Sequence, residues 1–582
     1  MTVGRRGYAP TVEPPRDDAA ATDPLLEGLT PEQRDAVTTA ASPLCIVAGA
    51  GSGKTRVLTR RIAWQSATGA IDPRRVLAVT FTRRAASELR RRLRRLGIRE
   101  EPAAGTFHSI ALAILHRHWE ENGRRPPELL QNRTAFLART MSRLDRTTVS
   151  DLSSEIGWAR ARLVTPERYA DGAAAAGRRP PRGAAFTAER YAEYEQAKRA
   201  RRMVDFDDLL ALCHATMQRD ERFAAAQRWR HRHLFVDEFQ DVNPLQFALL
   251  RSWLGDESTL VVVGDPDQAI YGWNGADPEL IREVHDHLPG VAVLHLRTNF
   301  RSSPEILAAA GRVLDREPQP AVRPAGPAPT VRVVEGADEP VELARAVRGA
   351  HRPGAPWAAQ AVLARTNAQL APLRVALESA GIPVRMRGET ALLRRPEIVD
   401  LIDDWNGRES LAGRIADQTI DLEPDPDTER QAMIELFLLL AHDHLALEPD
   451  ASVDDFLTAL RSDDRTESRR DAVELATFHA AKGLEWPVVH LVGLEDGFVP
   501  IAHARSRAAR AEERRLLHVA TTRAQRELHV SWCRTRRRGD GVVAREPSPW
   551  LHAFVTDEPH VIAPPPVSYT HLTLPTMIIR CR

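Results

Sequence analysis

The chain has 582 residues, 43% hydrophobic and 27% charged, with 80 Lys plus Arg against 79 Asp plus Glu and a formal net charge of +1. Length and balance describe a globular protein of several domains and exclude a collagen-like or wholly disordered chain. Any nucleic-acid surface must then be a local patch, since charge balance alone argues neither for nor against one.

Cys45, Cys213, Cys533 and Cys581 lie far apart, without the paired spacing of a zinc site or a disulfide framework. That usage fits a reducing cytoplasm. Arg5-Arg6 is followed by Pro, Asp and Glu rather than an apolar segment, so it does not read as an export signal. No run of about 18 apolar residues occurs, and no membrane span is expected.

Residues 1–24, rich in Pro, Ala and Asp, are expected to be disordered. Thr30-Pro31-Glu32-Gln33 then combines a helix N-cap, a first-turn proline and an early acid. The apolar run Leu44-Cys45-Ile46-Val47 suits a buried strand, and Ala48-Gly49-Ala50-Gly51-Ser52-Gly53-Lys54-Thr55 reads as a phosphate-binding loop opening a helix. Glycines let backbone N–H groups curl around phosphate oxygens; Lys54 reaches the terminal phosphates and Thr55 holds Mg²⁺. The strict pattern asks for glycine where Ala48 stands. Only three of the 80 basic residues are lysines, Lys54, Lys198 and Lys482, so a compact ammonium is a marked choice in this chain.

A strand over 76–81 and a helix over 84–96, with Leu89, Leu93 and Leu96 on one face, continue an alternation that predicts a parallel α/β sheet. Residues 112–203 lack comparable apolar strands and read as an inserted helical subdomain. Strands resume at 233–236, 260–263 and 291–296. After a Pro-rich loop, 331–334, 361–364, 488–492 and 528–532 supply a second α/β domain, interrupted by acidic, helical sequence at 404–472. The end, from Val567-Ser568-Tyr569-Thr570-His571, departs in style and reads as translated sequencing adapter.

Val236-Asp237-Glu238-Phe239-Gln240-Asp241 follows a buried strand. Asp237 is placed to bind Mg²⁺ and Glu238 to orient or deprotonate the attacking water. Val263-Gly264-Asp265 is a competing strand-end acid, but the paired acid and base favour 237 and 238.

In this order the motifs resemble the UvrD/Rep/PcrA-type superfamily 1 DNA helicases. The matching stretches are 29–37, 48–55, 79–89, 105–109, 204–210, 236–246, 262–276, 296–307, 361–402, 475–489 and 512–528. The resemblance implies two RecA-like parallel-sheet domains with helical insertions: 25–111 with 204–298, and 299–403 with 473–555. It implies an ATP-binding cleft between them, in which Gln33 reads adenine and Phe300 stacks on it. Ala48 to Arg56 hold the phosphates, Glu485 contacts the ribose, Gln268 links nucleotide to DNA, and Arg301 and Arg523 approach the γ-phosphate from the second domain. Ala48 is usual in that family. Phe81, His108, Tyr271, Trp273 and His479 would line a single-stranded path, where aromatic faces stack on any base. An isolated aromatic is more simply core packing, and His108 and His479 lack metal-ligand spacing; Trp273, in the turn-like Tyr271-Gly272-Trp273-Asn274-Gly275, is the strongest DNA candidate.

Several positions depart from the family pattern. Asn274 stands for a usual Arg, Arg83-Arg84 for Asn-Lys, and His518 for Tyr. The short 404–472 insertion and Glu485-Trp486 look like the second, actinobacterial UvrD-like branch, which continues into a cysteine-containing linker and an HRDC domain; the chain is accordingly expected to be truncated. The implied function is ATP-dependent 3′ to 5′ movement on single-stranded DNA and 3′-tailed duplex, in repair and beside repair proteins. A translocase that strips proteins without unwinding is the nearest rival, and a non-catalytic ATP-gated scaffold the rival from another class.

Overall fold

The computed structural model describes residues 24–387 apart from 101 and 131, positions scattered between 398 and 457, and 471–555 apart from 539 and 540. All but Pro24 of the segment expected to be disordered (1–24), most of the 404–472 insertion and the adapter-like end lie outside the described residues. Two compact units are formed, one of Met1–Ser302, Gln319–Pro324 and Ser506–Val519, the other of Ser303–Pro318, Ala325–Arg505 and Ala520–Arg582.

In the first unit, β1 (Leu44–Ala48), β2 (Val76–Thr80), β3 (Ala103–Thr106), β6 (His233–Val236), β7 (Thr259–Gly264) and β8 (Ala292–Leu296) form a parallel sheet in the order β3-β2-β6-β7-β1-β8. Side chains alternate across it. From β1, Leu44, Ile46 and Ala48 join one apolar cluster with Leu58 and Ile62, whereas Cys45 joins another with Phe107 and Leu210. Both faces are covered, which is why these strands read as continuous apolar runs. Because every strand points the same way, Ala48 lies opposite Leu296, Val47 opposite Gly264 and Val236 opposite Val262. The loops after β1, β6, β7 and β8 therefore leave from one edge, where α/β sheets bind ligands.

β3 was not among the expected strands. Its residues, Ala103-Ala104-Gly105-Thr106, carry almost no β-propensity, and pairing with β2 from Leu77↔Ala103 to Thr80↔Thr106 makes the strand. His233 in β6 is buried, with Nδ1 3.0 Å from Thr259 Oγ1. Burial, aided by Arg232, lowers its pKa from 6.5 to about 4. A neutral folded histidine contributes stability above pH 6.5 that is lost as pH falls toward 4, because the unfolded chain takes the proton first. Replacing it, as His233→Gln, should flatten the acid-side decline in urea stability by about 2–3 kcal/mol.

Between β3 and β6, the helices Phe107–Glu121, Arg133–Thr140, Arg146–Ala161, Tyr169–Ala175 and Ala184–Ala200 are joined by a two-strand parallel pairing of β4 (Glu128–Leu129) with β5 (Met203–Val204). Leu137, Ile156, Tyr169 and Tyr194 anchor a separate core there. Lys198 is 2% exposed and lies 3.2 Å from Glu195, 3.0 Å from Asp205 and 2.6 Å from Asp208. Arg133 pairs with Asp207 and Arg160 with Asp208 in the same network. The second lysine is thus structural, tying Ala184–Ala200 to the capped start of the helix Phe206–Arg219. Lys198→Met would leave buried carboxylates short of a cation and should destabilise the protein by about 3 kcal/mol, read by urea unfolding.

The second unit repeats the plan. β9 (Thr330–Val334), β10 (Gln360–Ala364), β11 (Val384–Met386), β12 (Val473–Thr477), β13 (Trp486–Leu491) and β14 (Ala524–Cys533) form a parallel sheet in the order β11-β12-β10-β13-β14-β9. A hairpin of β15 (Thr535–Arg538) and β16 (Gly541–Ala544) follows.

Candidate nucleotide site and single-strand path

The loop after β1 is held in shape by its own hydrogen bonds. Ser52 donates through N and Oγ to the Gly49 carbonyl, at 3.3 and 2.8 Å. Gly51 and Gly53 take φ of 68° and 86°, conformations open to glycine at little cost. A β-carbon at Gly51 would lie 2.6 Å from Cβ of Arg301, so the backbone there must stay bare. Gly53 caps the helix Lys54–Ala67, whose first N–H groups face outward at an anion-binding end. The Lys54 ammonium is buried and has no hydrogen-bond partner; its nearest carboxylate oxygen is Asp265 Oδ2 at 3.8 Å. A buried cation so placed fits a phosphate chain as ligand. Gln33, capping its own helix with Thr30, donates from Nε2 to the Ser52 carbonyl at 2.9 Å.

After β6, Asp237 is buried, and burial followed by the neighbouring Glu238 raises its pKa from 3.8 to about 7, with Lys54 opposing. A carboxyl in that setting, with Thr55 on the first turn of the loop's helix, fits a divalent cation, which would restore its ionised form. Glu238 holds φ 54° and ψ 41°, an unusual conformation for a non-glycine residue, and its N–H donates to Asp237 Oδ1 at 3.0 Å. The competing acid is differently occupied. Asp265 accepts from Asp267 N at 3.0 Å and Gln268 Nε2 at 2.6 Å besides facing Lys54.

Gln240, fully buried, joins the two acids and went unnoticed in the sequence. Its Nε2 donates to Glu238 Oε2 at 2.5 Å and its Oε1 accepts from Asp265 N at 2.8 Å. Asn299 is a second residue of this kind. It donates to the Ala50 carbonyl at 2.5 Å and accepts from the N–H groups of Arg301 and Ser302 at 2.8 and 2.9 Å. Phe300 N donates to the Gly51 carbonyl at 2.9 Å. These bonds hold Phe300 and Arg301 to the phosphate-loop side, in the first unit, whose first segment runs to Ser302.

Trp273 is 56% exposed and sits edge-on to Tyr271, ring centres 6.5 Å apart, on the turn Gly272–Asn274. Phe81 follows β2 directly, half-buried and edge-on to Phe107. His108 is half-buried; burial lowers its pKa, with Asp207 and Asp205 acting the other way. Phe206, 45% exposed, stands edge-on to His108 and was not singled out from sequence, where it looked like any first-turn apolar residue.

In the second unit, Arg523 is buried and donates to the Leu484 carbonyl and Thr522 Oγ1, each at 3.1 Å. Glu485 is exposed and accepts from Gln525 Nε2 at 3.1 Å. His479 is half-buried in the turn after β12, its carbonyl accepting from Lys482 N at 3.2 Å.

Two RecA-like parallel sheets, the first ending β1 in a glycine loop with a buried lysine, define a P-loop nucleotide-binding protein. The description "UvrD/REP helicase N-terminal domain" matches residues 29–289, and "UvrD-like helicase C-terminal domain" matches 294–403 and 425–535. The chain belongs to the UvrD/Rep helicase family. It is 38% identical to the ATP-dependent DNA helicase UvrD2 of Mycobacterium tuberculosis, over 92% of this chain and 82% of that protein. It is 30% identical to the ATP-dependent DNA helicase Rep of Salmonella typhimurium, over 91% and 94%. For DNA helicase II of Escherichia coli the identity is 28%, over 90% and 87%.

Proposed function

We propose that the protein is an ATP-dependent DNA helicase that moves 3′ to 5′ along single-stranded DNA and acts in repair. One observation carries the link between hydrolysis and movement. A continuous chain of hydrogen bonds runs from Glu238 through Gln240 to Asp265, and from Asp265 to Gln268, which opens the loop bearing Tyr271 and Trp273. A change at the water-activating acid is thereby felt at an aromatic placed for a base.

In this reading residues 48–56 cradle the phosphates, Gln33 and Phe300 meet the adenine, and Lys54 and Arg301 offset charge that develops on the γ-phosphate. Glu238 orients the attacking water and takes its proton at a carboxylate oxygen. Thr55 and Asp237 would hold Mg²⁺, which supplies charge neutralisation on the phosphates when bound. Phe81, His108, Tyr271 and Trp273 stack on or flank successive bases. Arg523, Glu485 and His479 are assigned to nucleotide and DNA by the family resemblance. No helix among the described residues is long and apolar enough to cross a membrane, and we place the protein in the cytoplasm with DNA and repair proteins as partners.

The test is ATP turnover with and without single-stranded DNA, followed by unwinding of 3′- and 5′-tailed duplexes at a stated salt concentration, since phosphate contacts make affinity salt-dependent. DNA-stimulated turnover with unwinding of the 3′-tailed substrate is expected. Stimulated turnover without unwinding would favour a translocase that displaces proteins, and no turnover with DNA would favour the scaffold.

A further inference from the structure

Two sets of bonds fix residues 268–273 of the loop that presents Trp273, and only one belongs to the hydrogen-bond chain above. The other comes from the helix Arg507–Thr521, whose residues through Val519 pack in the first unit. Glu512 Oε1 accepts from Gly272 N at 3.1 Å, and its carboxylate also accepts from the N–H of Trp273. The approach is close: a β-carbon on Gly272 would lie 2.5 Å from Glu512 Oε2. One helical turn on, Arg515 donates from Nε to the Ala269 carbonyl at 2.7 Å in a buried contact. Glu512 and Arg515 are three residues apart and so share a helix face. An acceptor and a donor on that face thus grip N–H and C=O groups at positions 269, 272 and 273.

Two features separate this grip from ordinary packing. The bonds go to backbone, so they set the path of the loop whatever side chains it carries, and they are charge-assisted. Burial pushes the Glu512 carboxyl up, with Arg515 and the two N–H groups acting against it. The helix then runs on to Thr521, two residues before Arg523, while Gln268 at the start of the loop bonds to Asp265 beside Lys54.

We propose that Glu512 and Arg515 are positioning residues that tie the DNA-contacting loop 269–275 to the helix leading to Arg523, so that occupancy of the single-strand path sets the rate of hydrolysis through that helix. This rests on the helicase reading above. Each acts through the loop backbone.

The test uses the full chain with Glu512→Gln, which keeps shape but removes the charge and replaces one of the two oxygens that serve the N–H groups of Gly272 and Trp273 by an NH2 donor, and Arg515→Lys, which keeps charge but loses the Nε–H. Turnover is measured without DNA and with oligo-dT. Each variant should lose about tenfold of the DNA stimulation and hold DNA-free turnover within about twofold of wild type, inside the usual range of coupling between sites. Trp273→Ala combined with Glu512→Gln should lose little more stimulation than Trp273→Ala alone, because both act on one element. Wild-type stimulation retained by both variants, or stimulated and DNA-free rates falling in parallel, would overturn the proposal. A wild-type protein that shows no stimulation would instead overturn the helicase reading.

Discussion

Lys54→Ala should abolish DNA-stimulated ATP hydrolysis while leaving the fold intact. The ammonium is buried without a hydrogen-bond partner, and Asp265 is 3.8 Å away, too far for a tight pair. A cation desolvated that way is maintained at a cost, so its removal should change unfolding free energy by no more than about 1 kcal/mol in either direction. Asp265 stays satisfied by Asp267 N and Gln268 Nε2. Turnover is another matter. A preorganised charge aimed at developing negative charge in a water-poor site is worth at least about 10²–10³ in rate. Phosphate release with saturating oligo-dT, together with a thermal melt, checks both halves. A variant turning over at the wild-type rate would remove the phosphate loop from the mechanism.

Glu238→Gln should give a protein that binds ATP and DNA but is arrested before hydrolysis. Loss of a general base costs about 10²–10⁴ in rate, and single-turnover phosphate release should fall by that factor. Nucleotide affinity should hold, because the phosphate loop, Lys54 and Asp237 are untouched. The side-chain amide can still accept from Gln240 Nε2 through its oxygen, so the link to Asp265 survives. Glu238 also contributes to raising the Asp237 pKa toward 7; removing its charge lets Asp237 ionise more readily, and the variant should melt no lower than wild type. Equal phosphate release from Glu238→Gln and wild type would move the base to another residue.

Much of this arrangement was legible in the chain because it rests on local pattern. Leu44-Cys45-Ile46-Val47 is a buried strand by composition, the loop after it by its glycines and lysine, and Thr30 to Gln33 a helix start by its capping residues. The structure bears these out as β1, the helix Lys54–Ala67 and a capping box at Thr30. Ala48, one residue away from the strict pattern, is fully buried opposite Leu296 at the end of β1. Lys198 could be counted but not explained, since its partners Asp205 and Asp208 lie beyond the end of its own helix and meet it through folding.

The sequence by itself determined the α/β class, the glycine-rich loop after β1, the adjacent acids Asp237 and Glu238 after a buried strand, and the family, since each is written in adjacent residues whose spacing sets strand, turn or helix. Tertiary structure alone decided that Ala103–Thr106 is a strand, that Gln240 and Asn299 knit the loops at the sheet edge, and that Glu512 and Arg515 grip a turn some 240 residues upstream. The reason is physical. A single amide or carboxylate has no periodicity to betray it, and its role depends on which backbone groups a parallel sheet and a distant helix bring within hydrogen-bond reach.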